Sequence, residues 1–182
     1  MKSFSLVIWE LFKIILIAAV IVIPIRFFLI QPFFVKGASM EPNFDDGEYL
    51  IIDEISYRLR EPARGEVIVF RFPGDPSQFY IKRIIGLPGE TVEMVGGRIR
   101  ISNKENPNGF FLNEASYLEN IPNLGDDKIT LAETEYFVMG DNRAASYDSR
   151  RWGPLPKKNI IGRAWLRAWP VSRAQILEAP IY

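Results

Sequence analysis

Ser39 lies in Gly37-Ala38-Ser39-Met40-Glu41-Pro42, and the chain holds no histidine and no cysteine. A nucleophilic serine needs a neighbouring base to take its proton. With histidine absent, that base must be a lysine, a carboxylate or a main-chain amine. Lys82, in Phe79-Tyr80-Ile81-Lys82-Arg83-Ile84-Ile85, stands in an apolar run. Such surroundings let a lysine lose its charge and act as a base. In a strand, alternation puts Lys82 beside Tyr80 and Ile84, and Arg83 beside Ile81 and Ile85. If both faces are covered, the arginine must find a carboxylate or water, whereas the lysine can go neutral.

A third segment, Gly140-Asp141-Asn142-Arg143-Ala144-Ala145-Ser146-Tyr147-Asp148-Ser149-Arg150, follows the apolar run Tyr136–Met139. Two Asp, two Arg, two Ser and one Asn in eleven residues indicate a loop held by its own side chains. Asp141 and Asp148 can each accept from Arg143 or Arg150. Ser146 carries a hydroxyl that could orient an amine.

These elements need a scaffold. The segment Leu11–Ile30 is apolar apart from Lys13 and Arg26, and roughly 20 such residues cross a bilayer. Both cations lie near its ends, where they can snorkel. A cleavable signal peptide with an apolar stretch at Ile14–Ile25 is the rival reading. Pro24-Ile25-Arg26-Phe27 is a poor cleavage site, so a retained anchor is expected over residues 1–30. Flanking charges do not set its orientation.

Beyond Gln31-Pro32, short β-rich runs alternate with Pro and Gly turns, predicting a mainly β domain over residues 31–182. Strands are expected at Phe33–Lys36, Glu48–Glu54, Glu66–Phe72, Phe79–Ile85, Thr91–Val95, Arg98–Ser102, Glu135–Met139 and Ile160–Trp169. Val95-Gly96-Gly97-Arg98 is a hairpin signal. Residues 103–127, polar and rich in Asn, Pro and Gly, read as a loop-rich insertion.

Composition narrows the function. The 182 residues are 48% hydrophobic, with 22 basic and 22 acidic side chains, so no net charge draws the protein to nucleic acid. Without Cys or His, disulfides, thiolate metal sites and the common zinc sites are excluded.

The segments GASMEP, YIKRIIGLPGE and GDNRAASYDSRRWGPLP, in this order behind an apolar N-terminal stretch, resemble bacterial type I signal peptidases, which are Ser/Lys-dyad proteases. The resemblance implies that Ser39 is the nucleophile and Lys82 the general base. It implies that Ser146 positions the lysine amine and that Asp148 and Arg150 form a supporting pair. Asp141, Asn142 and Arg143 would hold the loop, and Phe33, Val35, Met40, Tyr80 and Ile81 would line the substrate cleft. It further implies preprotein substrates with small residues at −1 and −3, no cofactor, no metal, and a single-pass cell-membrane enzyme whose catalytic domain faces out of the cytoplasm. One departure is Gly37, where some members carry a serine that donates to the oxyanion. Two other readings share parts of the pattern. A repressor-type Ser/Lys autoprotease has the dyad but no reason for a membrane span. A non-catalytic, membrane-anchored β-module could bind exported chains without cutting them.

Overall fold

The computed structural model describes residues 2–28, 30–118, 125–180 and 182; within them, the side chains of residues 2, 3, 5 and 21–31 are not described. Among the described residues, one long helix, α1 (Lys2–Phe28), leads into twelve strands. These are β1 (Ile30–Phe34), β2 (Tyr49–Asp53), β3 (Val67–Phe72), β4 (Asp75–Gly86), β5 (Thr91–Val95), β6 (Arg98–Ser102), β7 (Phe110–Phe111), β8 (Asp127–Thr130), β9 (Glu135–Met139), β10 (Leu155–Pro156), β11 (Ile160–Trp169) and β12 (Gln175–Ile176). Among the described residues, two single-turn α-helices, α2 (Ser56–Leu59) and α3 (Ser149–Trp152), and two single 3-10 turns, Lys157–Asn159 and Val171–Arg173, sit in connections.

The fold is mainly β and antiparallel. The larger sheet runs β1-β2-β11-β3-β4-β9-β10, with β12 also paired to β11; the smaller runs β7-β6-β5-β8. Alternation explains why the large sheet is covered on both faces. In β3, Val67 and Val69 join a core with Val35, Met40, Phe44, Leu50 and Ile52. Ile68 and Phe70 point the other way, into a core with Ile84, Tyr136, Val138 and Leu155. A third core, with Val92, Ile99, Ile101 and Phe137, seats the small sheet. Each fully buried side chain of this size contributes about 1.5–3 kcal/mol.

The Gly96-Gly97 hairpin forms as its sequence requires. Val95 pairs with Arg98, and both glycines have positive φ, +55° and +80°. That combination suits a type I′ turn.

Several expectations shift. β4 begins at Asp75 rather than Phe79, because the Pro73-Gly74 turn lets the strand pair at once with Phe72. β1 ends at Phe34 rather than Lys36. The final ten residues, which show no pattern in sequence, contribute β12 through pairing of Gln175 and Ile176 with Arg167 and Leu166. Residues 103–127 are not all loop: β7 pairs with β6, Leu112 enters the third core and Tyr117 is buried. Residues 119–124 of that stretch lie outside the described residues. Among the described residues, no helix is long and apolar enough to cross a membrane. The side chains of the second half of the apolar segment Leu11–Ile30 lie outside them.

Gly86 joins the two sheets by leaving room. A β-carbon there would lie 2.4 Å from Val92 Cγ2 and 2.8 Å from Leu131 Cδ1. Overfilling a packed core costs typically about 1–3 kcal/mol. Gly86→Ala is therefore expected to lower the thermal midpoint by several degrees while sparing the geometry around Ser39. Calorimetry of the purified variant measures this, and an unchanged midpoint would contradict the packing at that junction.

Candidate active site

Ser39 and Lys82 are 43 positions apart in sequence, and the fold brings Lys82 Nζ to 2.7 Å from Ser39 Oγ. Ser39 lies in the turn between β1 and β2. Gly37 enters this turn at φ +87°, and its N–H donates to Asp46 Oδ1 at 2.6 Å. Lys82 lies in β4, opposite Ile68 of β3. The pleat places it on the face of Tyr80 and Ile84, and it is only 4% exposed. Its amine also donates to the Ile81 carbonyl at 2.8 Å and lies 5.5 Å from the centre of the Tyr80 ring.

Burial brings the Lys82 pKa down from its ordinary 10.5 to about 8, against the opposing pull of Asp148 and Asp141. A neutral amine has one lone pair and two N–H donors. With the Ile81 carbonyl taking one N–H, the lone pair is free to accept the Ser39 O–H. The same shift acts on stability. Because the folded pKa is the lower one, the unfolded chain binds this proton more tightly between about pH 8 and 10.5. Raising the pH through that window stabilises the fold, and below it the buried ammonium is a standing cost.

Each nearby carboxylate is matched to an arginine. Asp141 takes Arg83 Nε at 2.8 Å and Nη2 at 2.6 Å. Arg83 lies 4.2 Å from the centre of the Tyr117 ring. Asp148, fully buried, takes Arg150 Nε and Nη2, both at 2.8 Å, and the Gly140 N–H at 3.0 Å. Burial on its own would raise the Asp148 pKa, but hydrogen bonds from Arg150, then Ser146, and the Arg150 charge outweigh it and hold it below the usual 3.8. Arg143 does not pair with either aspartate. Its Nη2 reaches Glu114 Oε1 at 2.5 Å, and its Nε reaches the Gly140 carbonyl at 3.1 Å.

Asn142 fastens this loop to the Ser39 turn. Its N–H donates to the Ser39 carbonyl at 3.1 Å and its side-chain amide to the Ala38 carbonyl at 3.0 Å. Gly140 permits the approach, since a β-carbon there would stand 2.3 Å from both the Ser39 carbonyl oxygen and Ser146 Oγ. Ser146 thus packs against Gly140, and no hydrogen bond joins it to Lys82 among the described residues. Its buried hydroxyl has no well-aligned partner. It is near enough to Asp148 to help keep that group ionised, since a hydroxyl can rotate.

A groove of about 560 Å³ opens beside the pair. Its walls include Phe33, Val35, Tyr80, Ile81 and Tyr147, with Ser39 and Lys82 at one side. Met40 is not on its wall. It is fully buried, packed into the core beneath the Ser39 turn. The reason is the turn itself, which directs Met40 inward as its carbonyl accepts from Phe44 N–H at 3.0 Å. Sequence reasoning passed over Glu114, Asn43 and the Ile81 carbonyl. Nothing local marks Glu114 and Asn43, because each acts on residues remote in the chain, and the Ile81 carbonyl is a main-chain acceptor that no side-chain pattern reveals.

A hydroxyl within hydrogen-bond reach of a buried, low-pKa amine, beside an apolar groove, is an arrangement suited to serine acyl-transfer chemistry with a lysine base. The family model for signal peptidases, peptidase S26, matches residues 8–169. The chain belongs to this family. It is 39% identical over 174 residues to a probable signal peptidase I-2 of Synechocystis sp., spanning 92% of this chain and 76% of that protein. It is 40% identical over 177 residues to signal peptidase I of Leptolyngbya laminosa, spanning 92% and 83%. A solved signal peptidase I from Enterococcus faecalis V583 is 32% identical, covers 57% of this chain and 97% of that one, and superposes with a TM-score of 0.48.

Ser146 and Asp148 should separate when mutated. Ser146→Ala removes one hydroxyl and is expected to lower turnover without an earlier melt. Asp148→Ala strips four donors, the Gly140 N–H and the Arg150 N–H, Nε and Nη2, of their acceptor and should destabilise by about 1–3 kcal/mol or more. Paired thermal melts and rates decide this. If Ser146→Ala melts as early as Asp148→Ala, the hydroxyl is a structural group.

Proposed function

We propose that this chain is a membrane-bound serine endopeptidase that removes N-terminal signal peptides from exported preproteins, with Ser39 as nucleophile and Lys82 as general base. The observation that carries this reading is the 2.7 Å approach of Lys82 Nζ to Ser39 Oγ beside an open groove. Membership of the signal peptidase family supplies the substrate class.

The neutral amine takes the Ser39 proton as Oγ bonds to the scissile carbonyl carbon. The resulting ammonium gives that proton to the leaving amine as the C–N bond breaks, leaving an acyl-enzyme. Water then attacks the ester, Lys82 again accepting the proton, and Ser39 is regenerated. The oxyanion takes the Ser39 main-chain N–H as a donor, because Gly37 offers no side chain. The substrate lies extended in the groove against exposed strand edges. Phe33, Val35, Tyr80 and Ile81 select small side chains at −1 and −3. Asp141, Asn142, Arg143, Asp148 and Arg150 hold the loop, and Ser146 acts on Lys82 through Asp148. No cofactor enters the chemistry.

Residues 1–30 serve as a single membrane anchor and residues 31–182 as the catalytic domain, with 103–127 inserted in it. Support comes from α1, where Ile14, Ile15, Leu16 and Ile17 are all at least half exposed. Four consecutive exposed apolar residues point in every direction around a helix, a surface suited to lipid rather than to one protein face. Its charged pair, Lys13 and Glu10 at 2.7 Å, lies toward the N-terminal end.

Ser39→Ala and Lys82→Ala should each abolish cleavage of a peptide with Ala at −1 and −3 while leaving the fold intact. Lys82→Arg should fail too, because a guanidinium stays charged. In the wild type, kcat/KM should rise as pH increases through about 8, where the ammonium gives up its proton. The Asp148 carboxyl titrates below 3.8 and cannot mimic that limb. A profile flat from mild acid upward, or activity retained by Lys82→Ala, would remove the lysine from the mechanism.

The catalytic domain should face out of the cytoplasm with Met1 inside. Protease added to intact spheroplasts should then digest the chain beyond Lys36. Full protection until lysis would reverse this orientation.

A further inference from the structure

Ser39 and Lys82 stand on different elements, and the reaction requires their separation to be fixed. Asn43 ties the two elements together from behind. It lies four residues after Ser39 in the same turn. Its side-chain Nδ2 donates to Asp141 Oδ2 at 2.9 Å and to the Tyr117 carbonyl at 2.8 Å, so both amide hydrogens are engaged. Asp141 is the carboxylate that grips Arg83, the residue after Lys82 in β4. The residue after Asp141 is Asn142, which holds the Ser39 carbonyl. The Asn43 carbonyl accepts from Arg167, itself 4% exposed and paired with Glu48 at 2.8 Å. One amide thus closes a circuit through the nucleophile turn, the loop after β9 and the strand that bears the base.

We propose that Asn43 is a positioning residue for the reaction: by bonding at once to Asp141 and to the Tyr117 carbonyl, it locks the Ser39 turn onto the Asp141–Arg83 pair and so sets the reach of Ser39 Oγ to Lys82 Nζ. This rests on the Ser39–Lys82 reading above. The side-chain type follows from the geometry. An aspartate would face Asp141 with a like charge and offer no donor. An alanine would leave two acceptors short of a partner in a half-buried place. A serine could keep one donor.

The circuit has an electrostatic consequence. Lys82 is faced by the carboxylates of Asp148 and Asp141 and by the Tyr80 ring. Asp141 is faced by Arg83, Arg143 and Lys82. On the far side of Asn43, a cavity of about 310 Å³ brings Glu66, Arg163, Arg167 and Glu178. Asn43 lowers the negative potential of Asp141 by donating to it. Without that donor, Asp141 holds the Lys82 ammonium more firmly, and the base becomes available only at higher pH.

The experiment compares full-length wild type with Asn43→Ala, Asn43→Asp and Asn43→Ser in detergent, by kcat, KM and the pH dependence of kcat/KM. Asn43 is not on the groove wall, so KM should stay within about threefold. In Asn43→Ala, kcat should fall about tenfold or more, as displaced reacting groups do. The lysine limb should move to higher pH, most in Asn43→Asp and least in Asn43→Ser, with serine recovering part of the rate. A wild-type kcat and limb in both Ala and Asp variants would overturn the proposal. So would a fall in rate that tracks only an earlier melt, with the limb unmoved. Neither outcome touches the dyad reading, which fails separately if Ser39→Ala or Lys82→Ala keeps its activity.

Discussion

The site turns on one electrostatic constraint. In the proposed mechanism Lys82 must be dry enough to shed its proton, yet two carboxylates that favour its charged form stand near it. Burial beside Tyr80 and Ile84 wins, bringing the amine to about 8. It wins because neither carboxylate is a bare charge: Asp141 is forked by Arg83, and Asp148 by Arg150. If either arginine were lost, its aspartate would draw the proton back onto the lysine. On the proposed mechanism the arginines therefore serve the base as much as they serve the fold. A buried ion pair is weak grounds for stability in itself, but breaking one strands a charge.

The β architecture meets that constraint from both sides of one strand. β4 exposes Lys82 to the core lined by Ile68, Phe70 and Ile84, while its neighbour Arg83 faces Asp141. Two adjacent cations thus receive opposite treatments from a period of two. The loop after β9 then joins the parts. Gly140 leaves space for the Ser39 carbonyl, Asn142 bonds to it, and Asp141 and Asp148 take the arginines. Glu114, from the polar stretch between β7 and β8, holds Arg143 from outside. A segment that reads as solvent-facing loop supports the site because its carboxylate reaches back to it.

Much of this was legible in the chain itself. The absence of His and Cys left a lysine, a carboxylate or a main-chain amine as partner for a reactive serine, and Lys82 is the one the fold brings to 2.7 Å from Ser39 Oγ. Alternation in residues 79–85 assigned Lys82 and Arg83 to opposite faces, and the turn glycines placed the hairpin at 96–97. These are local properties: side-chain chemistry, a two-residue period and backbone φ. The density of Asp, Arg and Ser in 140–150 also marked a self-bonded loop, since those groups need partners near at hand.

What only the tertiary structure decided was pairing between remote residues. Sequence could offer Arg143 or Arg150 to Asp141, but Arg83 takes it, from 58 positions away. Met40 reads as a cleft residue beside the nucleophile, and the turn sends it into the core. Ser146 reads as the lysine's partner, but it packs against Gly140 with no hydrogen bond to Lys82 among the described residues. The final strand pairs at Gln175–Ile176 because β11 presents an open edge there, not because its own residues demand a strand. Residue types and periods fix which groups can react and which face they take. Which of several equivalent partners a charge meets depends on loop closure, and that is settled only when the sheets pack.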